Sequence, residues 1–348
     1  MKILLTGSDG YIGGLLGPYL VDRGHDVIGL DTGYYRTGWL CNDGVARAPA
    51  CLTKDIRQIS ADDVRGMDAV VHLAELSNDP LSQINPSLTF EINHQGSVEI
   101  ARLCREAGVA RFVYTSSCSV YGAGFEDTKT EESEPLPQTA YAECKVLVER
   151  DVSAMANDDF SPTFLRNSTA HGASPRMRFD LVVNNLSAHA WTAGTIRMTS
   201  DGSPWRPLVH VLDICEAIAC TLEAPREAIH NEIFNVGDDG QNYRIREVAK
   251  IVAEVFPGCE LTIGSSDGDN RSYKVSFQKI REHLPDFRCR WDVQRGAEQL
   301  RRVFENIDMG LDTFEAAPFT RLRQIEHLLA TGQVDKELYW TLDEAPAV

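Results

Sequence analysis

The 348-residue sequence predicts an α/β fold: a doubly wound parallel sheet with a smaller C-terminal lobe. Three observations lead there. A short apolar run (Ile3, Leu4, Leu5) ends in glycines at 7, 10 and 13, and an apolar segment with helical spacing follows. Strand-like and helix-like patterns then alternate to about residue 168, as parallel strands joined by crossover helices do. From about residue 170 the alternation loosens, and Gly, Pro, Arg and Asn punctuate shorter elements. A hydrophobic content of 43% is ample for a buried core and excludes wholesale disorder.

In chain order, the first helix is expected over 11–23, closed by Gly24, with Pro18 kinking or shortening it. Strands are expected at 26–31, 52–56, 69–74, 111–116 and 163–166, and the clearest helices at 87–107 and 141–156. The stretch 202–238 reads as one return to the sheet, and Leu322, Ile325, Leu328 and Leu329 mark an amphipathic helix near the end. The expected division is a nucleotide domain over 1–168 with 202–238 rejoining it. A substrate-binding lobe over 169–201 and 239–307 and a tail over 308–348 complete it.

The net charge of −17 argues against nucleic acid or an anionic membrane as the general partner. Nine scattered cysteines contain no C-x-x-C pair, which fits reduced thiols and offers no metal knuckle. With no basic-apolar leader and no 18-residue apolar run, a cytoplasmic protein is expected.

The glycines carry the first chemical inference. Gly7 permits the tight strand-to-helix turn, Gly10 lets a phosphate approach the backbone, and Gly13 lets helix pack on strand. The helix N-terminus then offers free N–H groups to a diphosphate. Asp31 closes the second strand, 18 residues beyond Gly13, where a carboxylate accepts hydrogen bonds from an adenosine ribose. The pattern is that of a Rossmann-type site for NAD. Arg36 is close enough in sequence to take a phosphate, so NADP is disfavoured without being ruled out.

Tyr141 and Lys145 stand four apart in TAYAECKVLVER and share one helix face. A tyrosine of pKa ~10 is a poor base, but a neighbouring ammonium and an oxidised nicotinamide both favour its phenolate. Such a phenolate can take a sugar hydroxyl proton as hydride leaves. A strand ending in Thr115, Ser116, Ser117, Cys118 and Ser119 precedes the pair by some 24 residues and opens onto the same cleft.

These features occur in order with Asp55-Ile56, His72-Leu73-Ala74, Asn93 and the TSSCSVYG segment. Together they resemble the extended short-chain dehydrogenase/reductases, specifically the nucleotide-sugar epimerase/dehydratase family, over about residues 1–305. The resemblance implies a catalytic set of Ser117, Tyr141 and Lys145. It implies a cofactor set of Gly7, Gly10, Tyr11, Ile12, Gly13, Asp31, Asp55, Ile56, Leu73, Ala74 and Asn93, with Tyr141 and Lys145. For the substrate it implies Ser77, Ser117, Thr169, Asn185 in the N-N-L segment, Arg206 and Arg271. Dehydratases and decarboxylases of the family carry Thr-Asp-Glu or Thr-Ser-Glu before Val-Tyr-Gly; here Ser117-Cys118-Ser119 looks like the 4-epimerase pattern. The implied activity is an NAD-dependent nucleotide-sugar epimerase. The alternatives are a dehydratase, decarboxylase or 4-keto-reductase on the same fold, or a catalytically silent NAD-binding regulator. A homodimer through helices 87–107 and 141–156 is implied as well, and no metal is.

Two departures from the family pattern stand out, Glu75 and Thr169, the latter in place of the common asparagine of the L-R-x-x-N segment. Glu75 replaces a usual alanine, and points either to a sugar hydroxyl or to solvent. Arg176 and Arg178 in SPRMRFD read as surface arginines, or as partners for an anionic sugar such as a uronate. His210 and Asp213 are expected to start the next helix, and Cys118 is expected to face the core.

Overall fold

The computed structural model describes residues 1–42, 48–122, 127–265 and 272–341. Its centre is a wholly parallel seven-stranded sheet. The strands are β1 (Lys2–Thr6), β2 (Asp26–Asp31), β3 (Ala50–Thr53), β4 (Ala69–His72), β5 (Arg111–Ser117), β6 (Ser161–Asn167) and, after the smaller lobe is entered, β9 (Glu232–Val236). Their spatial order is β9-β6-β5-β4-β1-β2-β3. The chain first runs outward from β1 to β3, then returns to β4 on the other side of β1. That reversal opens a crevice at the carboxyl ends of β1 and β4, where ligands bind in such sheets.

Both faces of the sheet are covered, so the central strands read as apolar runs instead of alternating. Successive side chains still diverge: Ile3 and Leu5 enter one core cluster and Leu4 the other, and Val113 parts from Phe112 and Tyr114 in the same way. Helix α1 (Gly13–Asp22) continues four residues past Pro18, so the proline, sixth of its ten residues, removes one intrahelical bond without ending it. The long helix expected over 87–107 is a turn at Pro86–Thr89, a π-helical stretch Phe90–Gly96, then α2 (Ser97–Ala107). Helix α3 (Ala140–Ser153) starts on a Thr139 side-chain cap.

The third strand comes two residues earlier than expected. Asp55 instead caps a turn over Ile56–Gln58, accepting the Arg57 N–H at 2.8 Å. The fourth stops at His72, since the N–H groups of Leu73 and Ala74 both reach the Thr6 hydroxyl at 3.3 Å. Only part of 202–238 rejoins the central sheet, as β9 beside β6. Its first strand, β8 (Trp205–His210), lies in a three-stranded sheet between β7 (Thr169–His171) and β10 (Asn242–Arg244).

His210 caps the following helix, α5 (Val211–Glu223), its Nδ1 accepting the Leu212 N–H at 3.2 Å; here α4 denotes Val182–Ala193. Asp213 acts differently from expectation: its carboxylate accepts the N–H groups of Arg290 and Trp291 and tethers that later segment. Beyond α6 (Ile245–Val255) and α7 (Val293–Asn306), the tail forms α8 (Arg321–Ala330) and packs on the core under β2. No helix among the described residues is long and apolar enough to cross a membrane.

Candidate active site

A cavity of about 660 Å³ opens at the carboxyl ends of the central strands. Its floor is the turn after β1. Gly7 has φ +74°, and a Cβ there would lie 2.8 Å from the Ala74 nitrogen; a Cβ on Gly13 would drive into the Gly7 carbonyl. Only glycine lets the strand, the turn and α1 approach this closely. Gly7, Gly10, Tyr11, Ile12 and Gly13 all line the cavity. The Tyr11 side chain itself turns inward, donating to the Gly172 carbonyl at 2.7 Å.

Asp31 lies at the next strand end, 9% exposed and lining the same cavity. Its oxygens accept the Gly33 N–H at 2.8 Å and the Asp9 N–H at 3.0 Å, so each keeps a lone pair for a further donor. Burial, followed by the nearby Asp9 charge, raises its pKa to about 6. Asp55, Ile56, Leu73 and Ala74 continue the wall. Arg36 is committed to Asp9 at 2.9 Å and Thr53 at 3.0 Å. A cradle that any Cβ would fill, a helix N-terminus and a buried ribose-type acceptor fit a dinucleotide with a free ribose diol.

The opposite wall carries Ser117, Tyr141 and Lys145. Lys145, 3% exposed, places Nζ 5.3 Å from the Tyr141 ring centre and donates to the Thr115 carbonyl. It also forms an ion pair with Glu75 at 2.7 Å, while the other Glu75 oxygen accepts the Tyr114 hydroxyl at 2.5 Å. Glu75 thus does not point to solvent; it is a buried counter-ion to the lysine in the cavity wall. Burial lifts its carboxyl above the usual range, against the pull of Lys145 and Tyr114. Burial opposes the Lys145 ammonium too, but Glu75 and Tyr141 hold its pKa above the ordinary value. Burial likewise raises the Tyr141 pKa; Lys145 and hydrogen bonding to Ser117 lower it, and Glu75 raises it further. With the protein's own groups, therefore, the phenol lies above its ordinary value, because burial outweighs the Lys145 cation, whose charge is also shared with a carboxylate.

Ser77, Thr169 and Arg206 line the cavity as expected of substrate contacts. The remaining candidates are placed differently from one another. Asn93 is fully buried behind the wall, its amide exchanging hydrogen bonds with both backbone groups of Leu76 at 2.8 and 3.1 Å. Asn185 donates to the Phe179 carbonyl at 2.9 Å and does not line the cavity. Arg271 lies outside the described residues. Arg176 and Arg178 are not surface residues: both are under 9% exposed, and Arg178 enters the cavity wall in a two-bond pair with Asp180. Cys118 faces the core as expected, its Sγ 3.2 Å from the Arg166 carbonyl, and burial pushes its thiol up to about 12.

The sequence reading passed over Tyr114, Asp180, Tyr35 and Arg321, all close to the site. Arg321 had a usable signal. It precedes Ile325 by four and Leu328 by seven, so it occupies the apolar face of its helix. A charged residue at such a position needs a reason to be there.

Comparison with known proteins places these features in context. The model of the NAD dependent epimerase/dehydratase family matches residues 3–237. A UDP-glucose 4-epimerase of Corynebacterium glutamicum is 27% identical over 302 residues, covering 82% of this chain and 90% of the relative. Among solved structures, MoeE5 in complex with UDP-glucose and NAD superposes with a TM-score of 0.76 at 23% identity, covering 89% of this chain and all of that one. TunA, an NAD-dependent NDP-hexosamine 5,6-dehydratase, gives 0.77 at 22%, covering 88% of this chain and 99% of its own. These two likenesses concern the fold.

Proposed function

The chain belongs to the NAD-dependent epimerase/dehydratase family, and on that premise we propose that it inverts carbon 4 of the sugar in a nucleoside-diphosphate sugar. The observation that carries the reading is the company kept by Tyr141. Ser117 and Lys145 stand beside it, the adjoining strand end offers Ser119 where an acid would serve elimination, and Glu75 engages both its oxygens with Lys145 and Tyr114.

In this reading Tyr141, as phenolate, takes the proton of the 4-hydroxyl while Ser117 holds that oxygen by hydrogen bonding. Lys145 lowers the cost of the phenolate charge. NAD, held by the glycine turn, Asp31 and Lys145, would supply the hydride acceptance and return at carbon 4 that inversion requires. Tyr141 then gives its proton back. Asp31 would hold the cofactor's ribose diol, and Thr169, Ser77 and Arg206 would face the nucleotide sugar. The relatives named for UDP-glucose support a UDP-sugar. Asp180 neutralises Arg178, which removes the cation that an anionic sugar would have used and favours a neutral hexose. We also propose a homodimer through α2 and α3, which pack side by side, the π-helical stretch before α2 being joined to α3 by the His94–Asp151 pair at 2.8 Å, to be checked by light scattering.

The test is conversion of UDP-glucose and UDP-galactose in D₂O without added cofactor, followed by NMR. The reading expects each sugar to yield its 4-epimer with no deuterium at carbon 5. A 4-keto-6-deoxy product, loss of carbon dioxide from a UDP-hexuronate run in parallel, or oxidation of added reduced cofactor with a 4-keto nucleotide sugar would assign the dehydratase, decarboxylase or reductase instead. Inertness toward a panel of nucleotide sugars would favour the silent regulator.

A further inference from the structure

The C-terminal segment lies beyond the part of the chain that the family model matches. It is fastened to two candidate adenosine elements. Trp340 Nε1 donates to the Thr32 carbonyl at 2.8 Å, Gln324 to the Tyr34 carbonyl at 2.8 Å, and the Tyr34 hydroxyl to the Leu338 carbonyl. Tyr34 and Trp340 also pack ring on ring at 5.8 Å. At the Asp55 turn, the Arg57 guanidinium lies 3.9 Å from the Tyr339 ring centre. The segment thus seals the loop that follows Asp31 and the turn that follows Asp55.

At the head of α8 this arrangement carries Arg321 into the cavity wall. The side chain is 2% exposed, its guanidinium lies 3.9 Å from the Tyr35 ring centre, and its Nη1 has no hydrogen-bond partner. Nearby carboxylates are engaged elsewhere. Asp180 holds Arg178 through both oxygens and accepts the Asn78 amide at 2.6 Å; Asp31 accepts two backbone N–H groups. A buried guanidinium without a counter-ion is far costlier than a paired one, and a buried polar group without a partner calls for a ligand. The ring it lies against belongs to Tyr35, on the loop that follows Asp31, so the guanidinium meets the cavity from the strand end that carries the ribose acceptor. Phosphate oxygens suit the guanidinium fork, which stays charged when buried.

We propose that the C-terminal segment completes the dinucleotide site, with Arg321 as a direct ligand to the diphosphate of NAD. The glycine turn supplies neutral N–H donors to that group, and Arg321 adds the positive charge. The proposal rests on the cofactor being NAD and not on which sugar reaction follows.

The test uses full-length R321M, which keeps length and apolar volume, stripped of nucleotide beside the stripped wild type. Calorimetry then measures NAD, ADP, adenosine and UDP. The expected result is a loss of about ten-fold or more for NAD and ADP by the same factor, with adenosine and UDP unchanged. Thermal unfolding without nucleotide should show R321M no less stable, since an unpaired buried charge has gone. Wild-type affinity for NAD and ADP overturns the proposal. So does a loss confined to UDP, which would place Arg321 at the substrate, or an equal loss for adenosine, which would make the segment a scaffold only. If R321M does not fold, R321Q keeps donors without charge, and wild-type NAD affinity there overturns it equally. Failure of the sugar reading leaves these binding ratios untouched, so the two are told apart.

Discussion

Replacing Glu75 by Gln tests how the base is controlled. Lys145 Nζ is 2.7 Å from Glu75 and 5.3 Å from the Tyr141 ring centre, so the carboxylate lies within about 8 Å of that ring. At an effective dielectric constant of about 20, unit charges ~8 Å apart interact by about 2 kcal/mol, or roughly 1.5 pKa units. Glu75 raises the Tyr141 pKa, so its neutralisation lowers it. The reaction needs the phenolate, which forms as pH rises through that pKa. In E75Q the alkaline-rising limb of kcat/KM should therefore shift about one to two units toward lower pH. Gln keeps partners for Tyr114 and Lys145, so the fold should survive. E75A, which strands the buried ammonium, should lose about 3 kcal/mol of stability. The assay is epimerisation rate against pH for wild type and E75Q, with chemical denaturation alongside. A limb that stays put or moves to higher pH would refute the reasoning, because it would mean that Lys145 loses its proton along with its counter-ion.

Asp31, with its carboxyl raised to about 6, should make NAD affinity fall about ten-fold from pH 7 to pH 5, since only the carboxylate is a full acceptor for the ribose diol. D31N should flatten that dependence in a fluorescence titration. The same raised pKa makes Asp31 oppose folding as pH climbs from about 4 to 6, so NAD-free protein should not lose stability through this group on mild acidification. Y141F should reduce kcat by about 10²- to 10⁴-fold while the purified protein keeps its NAD, read as heat-released nucleotide. In G13A the added Cβ meets the Gly7 carbonyl and, at 2.7 Å, Ser8 Cα, both backbone. That variant should emerge without NAD and destabilised by more than about 3 kcal/mol, measured by urea unfolding.

Much of the site was legible because its determinants are local. The spacing of Gly7, Gly10 and Gly13 is a statement about one turn, and Tyr141 and Lys145 meet because a helix repeats every 3.6 residues. Element boundaries moved where a side chain from elsewhere intervened, as the Thr6 hydroxyl does when it captures Leu73 and Ala74. The misread residues share a cause. Asn93, Asn185, Arg176 and Arg178 were read from chain position, yet whether they face the cavity depends on how the loops around them fold, with partners that range from two residues away for Arg178 to about 140 for Arg176. Arg176, for example, donates to the Arg36 and Gly38 carbonyls, about 140 residues away.

By itself the sequence determined a parallel doubly wound sheet, a dinucleotide turn ending on Asp31, and a Ser117–Tyr141–Lys145 group. The sheet, the turn and the Tyr141–Lys145 pair follow from short-range periodicity or from the backbone freedom of particular residues; Ser117 was implied by the family resemblance. Only the tertiary structure decided that Lys145 shares its charge with Glu75, that Arg178 is neutralised by Asp180, and that Arg321 returns from the tail to the cavity wall. Those are Coulomb interactions at low dielectric. Their sign and size depend on distance and burial, which sequence separation does not encode, whether it is two residues as for Arg178 and Asp180 or 70 as for Lys145 and Glu75.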